Sequence, residues 1–289
     1  MQTVIILGKG FIGTQLAKYF ETNKIPYEIF SQAELNYTDY ETFRQYISKK
    51  TFNTGWVINC SGYTGVPNVD ACETNKELCY NYNVAYPLDV LRVCNSYGLP
   101  LIHVGSGCIY TGYEKEFTED DTPNFGIFSN ESSFYSKCKH IYETFARETR
   151  SYVFRIRIPF VAELTKKNYF TKLLNYDNLI NENNSITSVT DFCKFVVDFI
   201  KINPTNRPAF GLYNVVNPQP IKAEEVVWLL KKHGLENPKW NFITTDQLNT
   251  KANRSNCVLS TKKIKALGLE LPDTRDSLVR DIALLTNNT

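Results

Sequence analysis

The sequence predicts an α/β protein, a doubly wound parallel sheet with a smaller, discontinuous α/β lobe. Three observations carry this expectation. Short apolar runs alternate with amphipathic helical stretches over the first 160 residues, the first run leads straight into glycines, and the alternation breaks after Pro159. With 289 residues, 43% hydrophobic and 13% aromatic, the chain has ample material for a large core.

The candidate strands are Thr3–Leu7, Pro26–Phe30, Trp56–Cys60, Leu101–Gly105 and Tyr152–Arg157. Each is short and mostly apolar, as strands covered on both faces must be. Between them Phe11–Glu21, Tyr40–Lys49, Glu77–Ser96 and Phe134–Thr149 read as helices, which makes the connections crossovers and the strands parallel. Phe134, Cys138, Ile141 and Phe145 are the expected buried stripe of the last of these. Beyond Pro159 the pattern predicts helices at Asn168–Tyr176, Asp191–Ile202, Ala223–His233 and Asp273–Leu285, with one further strand at Gly211–Val216. Residues 1–160 with about 186–212 are read as the dinucleotide-binding domain. Residues from about 161–185 with 213–289 are read as the lobe.

Composition excludes several classes. The 32 basic and 30 acidic residues are mixed, net charge is +2, and no basic block marks a nucleic-acid binder. Eight cysteines include no Cys-x-x-Cys pair, and the three histidines are scattered, so no metal site is expected. Free thiols in apolar stretches suit a reduced, cytoplasmic setting. Thr3–Leu7 runs directly into glycines, so no signal peptide is expected, and no apolar run approaches the ~18 residues of a membrane span.

Gly8-Lys-Gly10-Phe11-Ile12-Gly13 follows the first strand and opens the first helix. Glycine is needed there for a tight turn, for backbone approach to a pyrophosphate, and for close helix packing. This is the dinucleotide turn of a Rossmann-type sheet. At the tip of the second strand, Ser31-Gln32 stands where an NAD enzyme usually has a carboxylate. Its absence permits a 2′-phosphate, although no Arg or Lys follows immediately. NADPH is the expected cofactor, with NADH tolerated. Glu28 competes for the carboxylate position but should lie within the strand.

Tyr135 and Lys139 form a Tyr-x-x-x-Lys pair, four apart and so on one helix face. An ammonium beside a phenol suits proton exchange with an alcohol or ketone. Tyr46 and Lys50 have the same spacing, but belong near the C-terminal end of the second helix, on the side of the sheet where ligands do not bind. Ser106 ends the fourth strand, where its hydroxyl can bind a substrate carbonyl or merely close a turn. The stretch is not a hydrolase elbow, because Val104 stands where that elbow needs glycine.

Gly10-Phe-Ile-Gly13, the Ser106 strand tip and Tyr135/Lys139 together resemble the extended short-chain dehydrogenase/reductase superfamily. Residues 62–73, 119–125, Arg155-Ile-Arg-Ile-Pro159, Tyr213–Pro218 and Arg254-Ser-Asn256 narrow the resemblance. They are similar to bifunctional UDP-4-keto-6-deoxyglucose 3,5-epimerase/4-reductases and, more distantly, to dTDP-4-dehydrorhamnose reductases, over nearly the whole chain. The resemblance implies cofactor contacts from Cys60, Ser61, Gly62, Asn83 and Pro159. It also implies substrate contacts from Val66 and Asn168, and an Arg254 that binds a nucleotide diphosphate or is an ordinary surface arginine. A UDP-linked or dTDP-linked 4-keto-6-deoxy sugar is the implied substrate, and a homodimer the implied assembly.

Ser106-Gly-Cys108-Ile-Tyr110 is also similar to a stretch of GDP-fucose synthase in which the cysteine is an epimerisation base. Carbons 3 and 5 of a 4-keto sugar are acidified by the carbonyl, and inversion needs a base on one face and an acid on the other. Cys108 is read as that base or as a buried structural thiol. Lys172, matched to a lysine of the rhamnose-forming enzymes, is read as the acid or as a solvated lysine. Reduction without epimerisation and a non-catalytic NADP-binding subunit are the alternative readings.

Overall fold

The structure, a computed structural model, describes residues 2–287. The first half runs β1 (Thr3–Leu7), α1 (Phe11–Thr22), β2 (Tyr27–Phe30), α2 (Tyr40–Lys50), β3 (Thr54–Asn59), α3 (Ala71–Thr74), α4 (Lys76–Tyr80), α5 (Tyr86–Ser96), β4 (Leu101–Ser106), β5 (Gly112–Phe117), α6 (Phe134–Ala146) and β6 (Ser151–Ile156). The remainder runs β7 (Pro159–Phe160), α7 (Tyr169–Asn175), β8 (Asn178–Ile180), β9 (Thr187–Ser188), α8 (Val189–Ile200), β10 (Gly211–Asn214), α9 (Ala223–Lys232), β11 (Asn241–Ile243), β12 (Cys257–Leu259), α10 (Lys262–Ala266) and α11 (Thr274–Asn287).

Six strands form one sheet in the order β10-β6-β4-β3-β1-β2, every pair parallel. Alternation along each strand feeds two cores. Val4, Ile6, Trp56, Ile58 and Phe154 pack with Leu16 and Phe20 of α1 and Phe192 and Phe199 of α8. Ile5, Leu7, Val57 and Val153 pack with Phe43 of α2, Leu91 of α5 and Tyr142 of α6. The sheet is therefore covered on both sides, which is why its strands read as continuous apolar runs. A third core joins Phe170 and Leu173 of α7, Val226 and Leu230 of α9, and Ile282 of α11.

Three features depart from the sequence reading. The helix expected over Glu77–Ser96 is interrupted by a π-helical turn at Asn81–Ala85 between α4 and α5. The stripe of α6 is rotated: Phe145 is 57% exposed, whereas Tyr135, Cys138, Tyr142 and Ala146 are buried. An offset of one residue turns a helix by about 100°, enough to exchange its faces. Finally, the parallel pairs β12·β5, β11·β8 and β7·β9 were not anticipated, because strands of two or three residues carry no readable period and the six-residue β5 buries only its last residue. Among the described residues, no helix is long and apolar enough to cross a membrane, and no group of His, Cys, Asp and Glu is arranged to hold a metal.

Candidate active site

The glycine turn is tightly packed at its two ends and open at Gly10. Gly8 has φ +99°, and a Cβ there would lie 2.8 Å from the Ser61 nitrogen; a Cβ at Gly13 would lie 2.0 Å from the Gly8 carbonyl oxygen. At Gly10, by contrast, a Cβ would meet nothing within 4 Å. Gly10 caps α1 without a side-chain hydrogen bond, the first turn carries no carboxylate, and the first intrahelical bond is Thr14 N–H to Gly10 C=O. The N–H groups of Gly10, Phe11, Ile12 and Gly13 thus have no helical acceptor and lie at the positive dipole end of α1. Such a helix end is suited chemically to an anion. Cys60 and Ser61, just past β3, lie directly beneath the turn.

At the tip of β2, Ser31 donates both its N–H and its hydroxyl to Glu34, each at 2.8 Å. Lys9, from the glycine turn, reaches the other Glu34 oxygen at 2.5 Å. Glu28 lies inside the strand, engaged by Tyr46 at 2.7 Å and Lys50 at 2.6 Å. The rival Tyr-x-x-x-Lys pair is thereby bound to a carboxylate away from the glycine turn.

Ser133 caps α6 by accepting from Ser136 N–H, and Glu73 accepts from Phe134 N–H at 2.7 Å. These two anchors fix the first turn, which carries Tyr135. One turn on, the Lys139 ammonium lies 5.7 Å from the Tyr135 ring centroid. A Cβ on Gly62 would fall 3.5 Å from that ammonium and 3.2 Å from the Asn83 side-chain oxygen, so the Gly62 backbone, Lys139 and Asn83 lie side by side. Asn83 is held by the π turn, donating to Tyr63 C=O at 2.8 Å and Cys79 C=O at 2.9 Å. Such turns are often found at functional sites. Burial pushes the Tyr135 phenol well above its ordinary value, with the nearby Cys108 adding to the effect and the Ser106 hydrogen bond opposing it. The phenol is therefore protonated at neutral pH. Burial lowers Lys139.

Ser106, buried at the tip of β4, places its oxygen 2.5 Å from the Cys108 sulfur. Tyr135 lies close enough for the Ser106 hydroxyl to act on its phenol. Cys108 is half-buried, and its neighbours include Tyr135 and Lys139. A phenol, a hydroxyl, a thiol and an ammonium thus share one small region at the C-terminal ends of β3 and β4, the ligand-binding side of such sheets.

The loop after β3 is gripped from the lobe. Lys167 donates to the Thr64 hydroxyl at 2.9 Å and to Gly65 C=O at 2.6 Å. Arg254 holds Asp70 through two hydrogen bonds of 3.0 and 3.2 Å. Between them Val66, 75% exposed, precedes Pro67 through a cis peptide bond. Lys172 is half-buried on α7, with no carboxylate in salt-bridge reach among the described residues. Burial lowers its pKa, and the Lys167 and Arg254 cations lower it further. Pro159 opens β7 just past the end of β6.

Asn168 departs from its expected place. It is fully buried, caps α7 through Phe170 N–H, and spends its amide on Val161 and Glu163. No polar atom is left for a sugar, so its contribution is to hold the helix that carries Lys172. Sequence reasoning missed Lys9, Asp70, Glu73 and Lys167. Asp70 and Glu73 lie within residues 62–73, which did carry a signal, whereas Lys9 and Lys167 act across 25 and about a hundred residues, where spacing is silent.

The family described as RmlD substrate binding domain matches residues 1–287. A bifunctional dTDP-4-dehydrorhamnose 3,5-epimerase/dTDP-4-dehydrorhamnose reductase of Arabidopsis thaliana is 31% identical over 288 residues, covering 96% of this chain and 91% of that protein. The trifunctional UDP-glucose 4,6-dehydratase/UDP-4-keto-6-deoxy-D-glucose 3,5-epimerase/UDP-4-keto-L-rhamnose-reductase RHM1 of the same plant is also 31% identical over 96% of this chain. The chain spans only 41% of RHM1's length. Among solved structures, the L780 UDP-rhamnose synthase of Acanthamoeba polyphaga mimivirus superposes with a TM-score of 0.86 at 25% identity, over 98% of this chain and 99% of that one. The dTDP-4-dehydrorhamnose reductase of Bacillus anthracis, in complex with NADP, shares the fold with a TM-score of 0.82 at 18% identity, over 98% and 99% of the two chains. The match over residues 1–287 and the near full-length likeness to the bifunctional plant protein establish that this chain belongs to the RmlD substrate binding domain family.

Proposed function

We propose that this chain is an NADPH-dependent reductase of a nucleotide-linked 4-keto-6-deoxy sugar that also inverts carbons 3 and 5, so that UDP-4-keto-6-deoxy-D-glucose becomes UDP-L-rhamnose. The observation that carries the reading is the Cys108 thiol, 2.5 Å from the Ser106 oxygen and packed against the cluster that holds Tyr135, beside Lys139. A pure reductase needs the phenol, hydroxyl and ammonium, and the thiol is the additional group that proton abstraction from carbon requires. The relatives' names, an epimerase/reductase and a UDP-rhamnose synthase, support the same reading.

The residues that fit the cofactor are the Gly8–Gly13 turn for the pyrophosphate, Ser31 for the adenosine ribose, and Cys60, Ser61, Gly62, Asn83, Lys139 and Pro159 along the nicotinamide arm. Bound NADPH contributes hydride transfer to carbon 4. The chain supplies the rest. Cys108 takes a proton from carbon 5 and then carbon 3, while Ser106 and Tyr135 donate hydrogen bonds to the enolate oxygen. Lys172 returns a proton on the other face. Each inversion leaves the thiol protonated and the amine neutral, and exchange with solvent resets both. Tyr135 finally protonates the carbon-4 oxygen, with Lys139 stabilising the phenolate left behind. Arg254 binds the diphosphate by turning from Asp70, and Val66 lines the sugar side. A homodimer in the cytoplasm completes the reading.

Product analysis by NMR after incubation with UDP-4-keto-6-deoxyglucose and NADPH tests it. UDP-L-rhamnose is expected. Turnover only when the sugar is already epimerised would reduce the chain to a reductase, and no turnover with any 4-keto sugar nucleotide would leave a non-catalytic NADP-binding subunit.

A further inference from the structure

The tip of β2 holds an anion site that the chain fills with its own carboxylate. One Glu34 oxygen accepts from the Ser31 N–H and hydroxyl at 2.8 Å each, and the other faces the Lys9 ammonium at 2.5 Å. The donors come from two sides, the strand tip and the glycine turn, which the Gly8 N–H to Phe30 C=O bond of 2.8 Å locks together. In a doubly wound sheet the adenosine ribose lies over this tip, and a 2′-phosphate there needs a cation with hydroxyl or amide donors. An N–H, a hydroxyl and an ammonium aimed at one carboxylate form that set.

We infer that Glu34 is an intramolecular stand-in for the cofactor's 2′-phosphate and sets the selectivity between NADPH and NADH. The inference rests on the cofactor reading above. With NADPH, the phosphate takes Ser31 and Lys9 while Glu34 turns into solvent. Its side chain is already 48% exposed, so the move disturbs no core packing. With NADH, the carboxylate stays and accepts from the ribose hydroxyls. The donors' grip is visible in the Glu34 carboxyl itself, pulled down to about 2 by Lys9 first and then by Ser31.

Fluorescence titration of NADPH and NADH against wild type, Glu34→Gln and Lys9→Gln tests this. Glu34→Gln is expected to tighten NADPH about fivefold without tightening NADH, because a competitor for charged donors is lost. Lys9→Gln is expected to weaken NADPH about tenfold and NADH by less than about threefold. Equal effects of either substitution on both cofactors, or weaker NADPH binding in Glu34→Gln, would overturn the inference while leaving the cofactor reading intact. Wild type that binds neither cofactor would overturn both.

Discussion

The Ser106 oxygen lies 2.5 Å from the Cys108 sulfur, and Cys108 in turn packs against the cluster that holds Tyr135. A hydroxyl has one proton to donate, so Ser106 cannot donate to the thiol and to a substrate oxygen at once. Under the proposed mechanism, the two activities share this residue and separate at the next.

Tyr135→Phe removes the proton donor and leaves the glycine turn untouched. Reduction at saturating NADPH is expected to fall by about 10²–10⁴, the usual worth of a positioned acid, while the NADPH dissociation constant changes little. Stopped-flow oxidation and cofactor titration read the two separately.

Cys108→Ala has the complementary outcome. Incorporation of solvent deuterium at carbons 3 and 5 is expected to fall about a hundredfold or more, while an already epimerised 4-keto sugar is still reduced. Wild-type deuterium incorporation in this variant would remove Cys108 from the mechanism.

Lys172 carries a pKa signature. Burial and then the neighbouring Lys167 and Arg254 cations lower it, so its ammonium loses the proton at a lower pH than an ordinary lysine. Epimerisation should therefore decline on its alkaline side below the usual lysine range. Lys167→Gln removes one repelling cation and is expected to move that limb to higher pH. A limb that stays in place would exclude Lys172 as the titrating group.

Behind α6, Arg155 is fully buried and grips Glu143 with three contacts of 2.7 to 3.1 Å. Glu143→Gln strands the guanidinium charge and is expected to cost about 3–5 kcal/mol in urea unfolding. Replacing both residues by Met and Leu should recover most of that loss, because no uncompensated charge remains.

Asp121 ties the segment beside Tyr110 together. It accepts from Lys115 at 2.5 Å and from Thr118 N–H at 2.6 Å, which pulls its carboxyl down to about 2, with Lys115 the leading cause. A depressed carboxylate stabilises fully above its unfolded value, near ~3.9, and loses that contribution as pH falls through the folded one. Asp121→Asn should therefore lower Tm at pH 7, with the gap to wild type closing as pH approaches about 2. A gap independent of pH would exclude the ionic contribution.

Much of the frame was legible. Strand runs such as Thr3–Leu7 and Leu101–Gly105 are mostly apolar, and Gly8 and Gly13 sit where only glycine fits. Tyr135 and Lys139 were readable because helix geometry fixes what four residues mean. The π turn at Asn81–Ala85 was not, since the five-residue α4 before it is too short for a change of phase to be read. Nor was the rotation of α6, where Phe145 faces out although it is as apolar as Phe134.

By itself, the sequence determined the strands of the main sheet with the helices between them, the glycine turn and the tyrosine–lysine pair, because local sterics and helical spacing act within a few residues. The tertiary structure alone decided that Lys9 meets Glu34, that Lys167 and Arg254 hold the loop at 64–70, and that Asn168 is spent on capping. Those contacts depend on how crossovers stack separate segments, and chain spacing carries no record of which side chains the stacking brings within hydrogen-bond reach.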